Sequence, residues 1–112
     1  MAGTGIVVIS AARTASGNSG AIKADIGARN LSVLVDVTAA SGTVPTLDTT
    51  IEWSFDGTNF AVVDGTQDLL AQVTAAAKKV KTFTVRAQWY RIVWTITGTT
   101  PSFTFAVSAL EN

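Results

Sequence analysis

The sequence predicts an all-β fold: a single-domain antiparallel β-sandwich of jelly-roll or Greek-key type, built from eight or nine strands. Three observations carry this reading. Towards the end of the chain Tyr90, Ile92, Trp94 and Ile96 alternate with Arg91, Val93, Thr95 and Thr97. Phe103, Phe105 and Val107 then alternate with Ser102, Thr104 and Ser108. A period of two puts successive side chains on opposite faces of a strand, one face buried and the other wet. Second, the alternating runs are separated by short breaks rich in Gly, Pro, Asp and Asn, the residues that turn a chain cheaply. Third, no stretch carries an apolar stripe at helical spacing. The segment richest in Ala and Leu, Asp68 to Ala77, is too short to be a helix unaided and reads as a strand or an irregular edge.

Taken in order, Ile6 to Ile9 with its flanks forms a first strand ending near Ala12. These residues are apolar on both parities, as in a strand covered on both sides. Thr14 to Gly20 reads as a polar, flexible loop, and Ala21 to Ile26 as a short strand. Leu31, Val33, Val35 and Val37 mark the third strand, which Ser41-Gly42-Thr43-Val44-Pro45 breaks. Residues 47–55 form the fourth, with Ile51, Trp53 and Phe55 sharing its apolar face. Asp56-Gly57-Thr58-Asn59 is a hairpin turn, Phe60 to Val63 returns, and Asp64-Gly65-Thr66 turns again. Phe83 and Val85 alternate with Thr82, Thr84 and Arg86. The strands of the opening paragraph follow, parted by Gly98-Thr99-Thr100-Pro101.

Composition narrows the functional classes. A chain of 112 residues makes one domain, residues 1–112, able to bury roughly 60–70% of its unfolded surface around one core. Eight basic and eight acidic residues cancel, which argues against nucleic acid as a partner. With no cysteine and no histidine, thiolate and imidazole metal sites and disulfides are excluded. No apolar run approaches the ~20 residues that span a bilayer, so no membrane partner is expected, and residues 6–9 do not make a secretory signal. Charged residues are only 14% of the chain, so much of the surface must be small and hydroxylated.

The residues that remain offer surface and little chemistry. Asp36, Asp48, Glu52, Asp56, Asp64 and Asp68 show no metal-loop spacing and read as turn and solvent-facing groups. No nucleophile sits beside a base, so the expectation is no enzyme, no catalytic residue, no cofactor and no metal. Trp53 and Trp94 share parity with apolar neighbours and belong to the core. Trp89 falls on the opposite parity, either plugging a loop or anchoring a subunit contact, and the contact is preferred. Lys78, Lys79 and Lys81, with Arg86 and Arg91, form the basic concentration, which serves either as a docking patch or as the protection of an edge strand. Residues 1–10 form a candidate strand-donating segment, packing within the same domain being the default. The expected interface set is therefore Ile6, Val8, Trp89, Lys78, Lys79, Lys81 and Arg91.

The runs Ala11-Ala12-Arg13-Thr14-Ala15-Ser16-Gly17-Asn18-Ser19-Gly20, Leu31 to Gly42, Pro45 to Asp48, Ile51 to Gly57 and Tyr90 to Phe105 together resemble a group of small virion structural proteins encoded by tailed bacteriophages. The resemblance covers most of the chain, least of all residues 66–82. It implies a β-sandwich that attaches to the outer capsid surface as a decoration or cement protein, or else to the neck, collar or tail. It also implies homo-oligomers, the major capsid protein or other virion proteins as partners, synthesis in the host cytoplasm and final residence in the virion. A carbohydrate-binding module for adhesion to a host surface glycan is the alternative from another class.

Overall fold

In the computed structural model, which describes residues 3–65 and 67–112, all regular structure is β. Met1 and Ala2 of the N-terminal segment, and Thr66 of the second turn, lie outside the described residues. Six strands form one antiparallel sheet: β1 (Gly3–Arg13), β2 (Gly17–Asn18), β3 (Ile22–Lys23), β4 (Asn30–Ser54), β5 (Ala77–Thr84) and β6 (Trp89–Glu111). The main order is β1-β6-β4-β5, and β2 and β3 both pair with β6. Fewer strands appear than the alternation suggests because β4 runs through the expected break at residues 41–45, and β6 through that at 98–101. The two long strands pair along their whole length, from Leu31↔Glu111 to Ser54↔Trp89.

Both expected breaks are corners. A straight strand of the length of β4 would span roughly 80 Å at ~3.3 Å per residue, yet the longest dimension of the molecule is 42 Å. The ladder therefore bends, and its register shifts fall between Val37 and Thr46. There Gly42-Thr43-Val44-Pro45 lies against Gly98-Thr99-Thr100-Pro101, with Thr43 opposite Thr99. The two segments carry matching conformations: φ is +110° at Gly42 and +125° at Gly98, and 49° at Val44 and 50° at Thr100. The corner also changes the parity of β6, whose buried residues are even-numbered through Ile96 and odd-numbered from Phe103. Val44 is β-branched, 78% exposed and held in the left-handed region, so it contributes strain and little packing. Replacing Val44 with Asn should stabilise the fold by about 1 kcal/mol, read as a rise of a few degrees in Tm.

One core joins the two halves of the bent ladder. Leu31, Val33, Val35, Phe103, Phe105 and Val107 from one half cluster with Leu47, Ile51, Tyr90 and Ile92 from the other. Trp94 meets Phe105 edge-on at 5.4 Å between ring centroids, and both Trp53 and Trp94 are buried, as their parity requires. Residues 68–76 form no strand. They follow β4 as an irregular edge held by reciprocal backbone bonds between Leu47 and Val73, with Ile51 N–H donating to Asp68 C=O.

Four local expectations change, the first being that the return over Phe60 to Val63 reduces to one bridge, Ala61 opposite Trp53. Thr14–Gly20 is fastened to β6: the hydroxyls of Ser16 and Ser19 accept the N–H groups of Ile96 and Ile92, both at 2.9 Å. Gly17 sits so close to Trp94 that a Cβ there would lie 3.0 Å from the indole. The short strand expected over Ala21–Ile26 shrinks to Ile22–Lys23, leaving Ile26 92% exposed. Phe55 leaves the apolar face it was expected to share with Trp53, because β4 ends at Ser54, whose Oγ accepts the N–H of Asp56 and of Gly57 and turns the chain away. Phe55 is consequently 85% exposed.

Candidate functional site

The end of the molecule where β4 stops and β6 starts holds a cleft of about 300 Å³, lined by Trp53, Phe55, Asn59, Val62, Arg86 and Ala87 among others. Its floor is fixed by one carboxylate. Asp68, 7% exposed, accepts from the Trp53 indole N–H at 2.8 Å and from Arg86 through Nε at 2.7 Å and Nη2 at 3.0 Å. Burial pushes the Asp68 carboxyl up, but the hydrogen bonds from Arg86 and Trp53 and the charges of Arg86 and Lys81 outweigh it. The group is held below the usual carboxylate range.

The rim is set by a second carboxylate. Asp56 Oδ1 accepts the backbone N–H of Asn59 and of Thr58, both at 2.9 Å, and the Ser54 hydroxyl, while Oδ2 accepts the Asn59 amide at 2.7 Å. These bonds, led by the Asn59 N–H, hold Asp56 far below the usual carboxylate range. The turn they form packs on Trp89, and a Cβ at Gly57 would lie 3.0 Å from that indole. Asp56→Ala should therefore accelerate amide hydrogen exchange at Thr58 and Asn59 while leaving core amides unchanged.

The residues expected to form an interface are dispersed. Ile6 is 66% exposed, whereas Val8, two positions on, is 5% exposed and part of the core. A register shift in β1 between Ile6 and Val8 breaks the simple alternation between them. Trp89 is half-buried beneath the Ser54–Asn59 turn, with Lys23 Nζ 5.7 Å from its ring. The three lysines lie on β5, an outer strand of the sheet, and divide between its faces. Lys78 pairs with Asp36 at 2.8 Å, while Lys79 and Lys81 stand opposite the buried Val35 and Val33. Lys81 also donates to the Leu69 carbonyl. Arg91 belongs to the other half of the ladder, bound to Glu52 at 2.6 Å and lying 4.5 Å over Phe60. The basic residues are thus not gathered into one patch, and Lys78, Arg86 and Arg91 are each paired with a carboxylate.

The Asp68–Arg86–Trp53 cluster has no signature in the sequence, since its members lie on three separate segments. Among the described residues no group of three or more Asp or Glu side chains is placed to hold a metal ion. The Trp53, Ser54, Asn59 and Arg86 side chains lining the cleft each donate to a carboxylate, an arrangement suited to holding a shape.

No protein-family model matches the chain, and no curated protein matches it. Among solved structures, the SPBc2 prophage-derived protein YomS is similar at 13% identity and a TM-score of 0.53, over 99% of this chain and 92% of that one. A chain from the structure of infectious bursal disease virus, Gx strain, is similar at 12% identity and a TM-score of 0.50, over 99% of this chain and 32% of that one. A protein of the disulfide-linked pili that form Bacillus endospore appendages shares 19% identity at a TM-score of 0.42. At these identities the likeness is one of fold: this all-β chain is folded like a prophage-derived protein and like part of a viral chain.

Proposed function

We propose that this protein is a non-enzymatic structural component of a tailed-phage virion, built as a jelly-roll sandwich, and that it decorates the outer surface of the head as a homo-oligomer. The observation that carries the reading is the likeness to a prophage-derived protein over nearly the full length of both chains. The sandwich reading is supported by the bent ladder, whose two halves contribute to one core cluster.

The outward face supports tiling against other proteins. Val80, Leu34, Ser108 and Ile6 form one row across β5, β4, β6 and β1, and Thr82, Ser32 and Leu110 form the next. Those rows carry no charged residue, and Lys78 and Asp36, paired with each other, stand on the adjacent row. Such a face loses little solvation of charge when a neighbour covers it. The partner on this reading is the major capsid protein, and repeated attachment across the shell adds avidity to each contact.

The test is to label purified particles with antibody against this chain and image them. Label on heads supports decoration; label confined to neck, collar or tail replaces the station and keeps the structural role. Unlabelled particles would overturn the reading. A second reading, adhesion to a host glycan, is favoured by one observation: an exposed Phe55 at the rim of a cleft that also holds Asn59 and Arg86. Because Trp53 lines the same cleft, its fluorescence should respond to host polysaccharide on that reading and stay constant on the first.

A further inference from the structure

The two outer strands of the sheet are finished in opposite ways. An outer strand presents a row of unpaired N–H and C=O groups to any chain that can align with them, and inward-pointing charges are one device that prevents it. β5 has that device in Lys79 and Lys81, which share a face with the core residues Val35 and Val33. β1 has no charged residue from Gly3 to Ala12, and it exposes Ile6 at 66% and Ile9 at 73%.

Arg13 closes only one end of β1. Its Nη2 donates to the Ile9 carbonyl at 2.9 Å, and its Nη1 to the carbonyls of Ala11 at 3.2 Å and Phe105 at 3.0 Å. The guanidinium lies over Trp94 and Phe105, which hold it in place. Carbonyls beside the second register shift are thereby occupied, and the stretch left open is Gly3 to Val8, about the length of an ordinary strand, with the first register shift at its far end between Ile6 and Val8.

We propose that the open edge of β1 from Gly3 to Val8 joins two copies of this chain, antiparallel across a twofold axis, so that the sheet continues from one copy into the other. Strand addition takes its affinity from main-chain bonds and its selectivity from neighbouring side chains. The occupant is a second copy because the edge is self-complementary. Under a twofold axis an uncharged strand meets itself without like charges, and the exposed Ile6 of each copy lies beside the axis. The same operation at β5 would set Lys78, Lys79 and Lys81 against their own counterparts. This names the contact for the homo-oligomer proposed above and rests on that part of the reading.

Sedimentation equilibrium of the purified protein tests it, because the particle plays no part. Wild-type protein should form dimers as concentration rises. Ile6→Lys should remain monomeric with an unchanged Tm at low concentration, since the side chain it replaces is exposed. Val80→Lys, on the lysine-bearing strand, should still dimerise. A second readout exploits the absence of cysteine: Gly5 has open space around the Cβ position, so Gly5→Cys should yield an oxidised dimer and Val80→Cys should not. A wild-type monomer at the highest soluble concentration overturns both the edge and the oligomer. A dimer that survives Ile6→Lys, or that cross-links through Val80→Cys, overturns the edge alone. Neither result bears on whether the protein labels phage heads.

Discussion

Gly98→Ala should destabilise this protein by about 3 kcal/mol or more, the sum of backbone strain and a collision that cannot relax. At φ +125° an L side chain is strained whatever the space around it, and here there is none. The new Cβ would lie 2.9 Å from both Pro45 Cα and Val44 O. These are backbone atoms of the opposing corner, so relief requires moving one half of the ladder against the other. Gly42→Ala should behave alike, with its Cβ 2.7 Å from Thr100 O. Gly5→Ala is the control, since nothing lies within 4 Å of that Cβ, and it should stay within ~0.5 kcal/mol of wild type. Urea titration at pH 7 reads all three. A loss of that size is a large share of the ~5–15 kcal/mol that holds an ordinary domain together. Equal midpoints for Gly98→Ala and Gly5→Ala would remove the corners from any account of the fold.

Asp68→Ala should cost about 2–3 kcal/mol, chiefly by leaving the buried Trp53 indole N–H without an acceptor. The Arg86 side chain is 43% exposed, so solvent takes over much of its share. The sign of the pH dependence follows from the direction of the Asp68 shift. A carboxyl whose pKa is lower folded than unfolded adds stability above the unfolded value, ~3.9, and loses it as pH falls through the folded one. Unfolding midpoints of the wild type should therefore decline below about pH 4. Asp68→Asn should be less stable at pH 7 and lose less on acidification, the remaining decline coming from Asp56, whose pKa is depressed in the same sense. If the two proteins decline in parallel, Asp68 is not held as a charged acceptor.

The sequence by itself determined which residues go inside. Leu31 to Val37, Ile51, Trp53, Tyr90 to Ile96 and Phe103 to Val107 alternate because a strand turns each successive side chain to the other face, and that rule needs no knowledge of neighbours. The corners were legible only as breaks, at Ser41 to Pro45 and at Gly98 to Pro101. Their pairing was not, because Gly42 and Gly98 meet only once the register of β4 on β6 is set. Phe55 shows where the period fails: a Ser54 hydroxyl, accepting two backbone N–H groups, ends the strand one residue before the pattern does. The basic residues show the same limit. Lys78, Lys79 and Lys81 read as one group along the chain, but their faces depend on which β4 residue each opposes. Asp68, Arg86 and Trp53 were brought together by tertiary structure alone, since hydrogen bonds between distant segments leave no period behind them. Periodicity records how a strand meets the core, whereas a site records how strands meet one another.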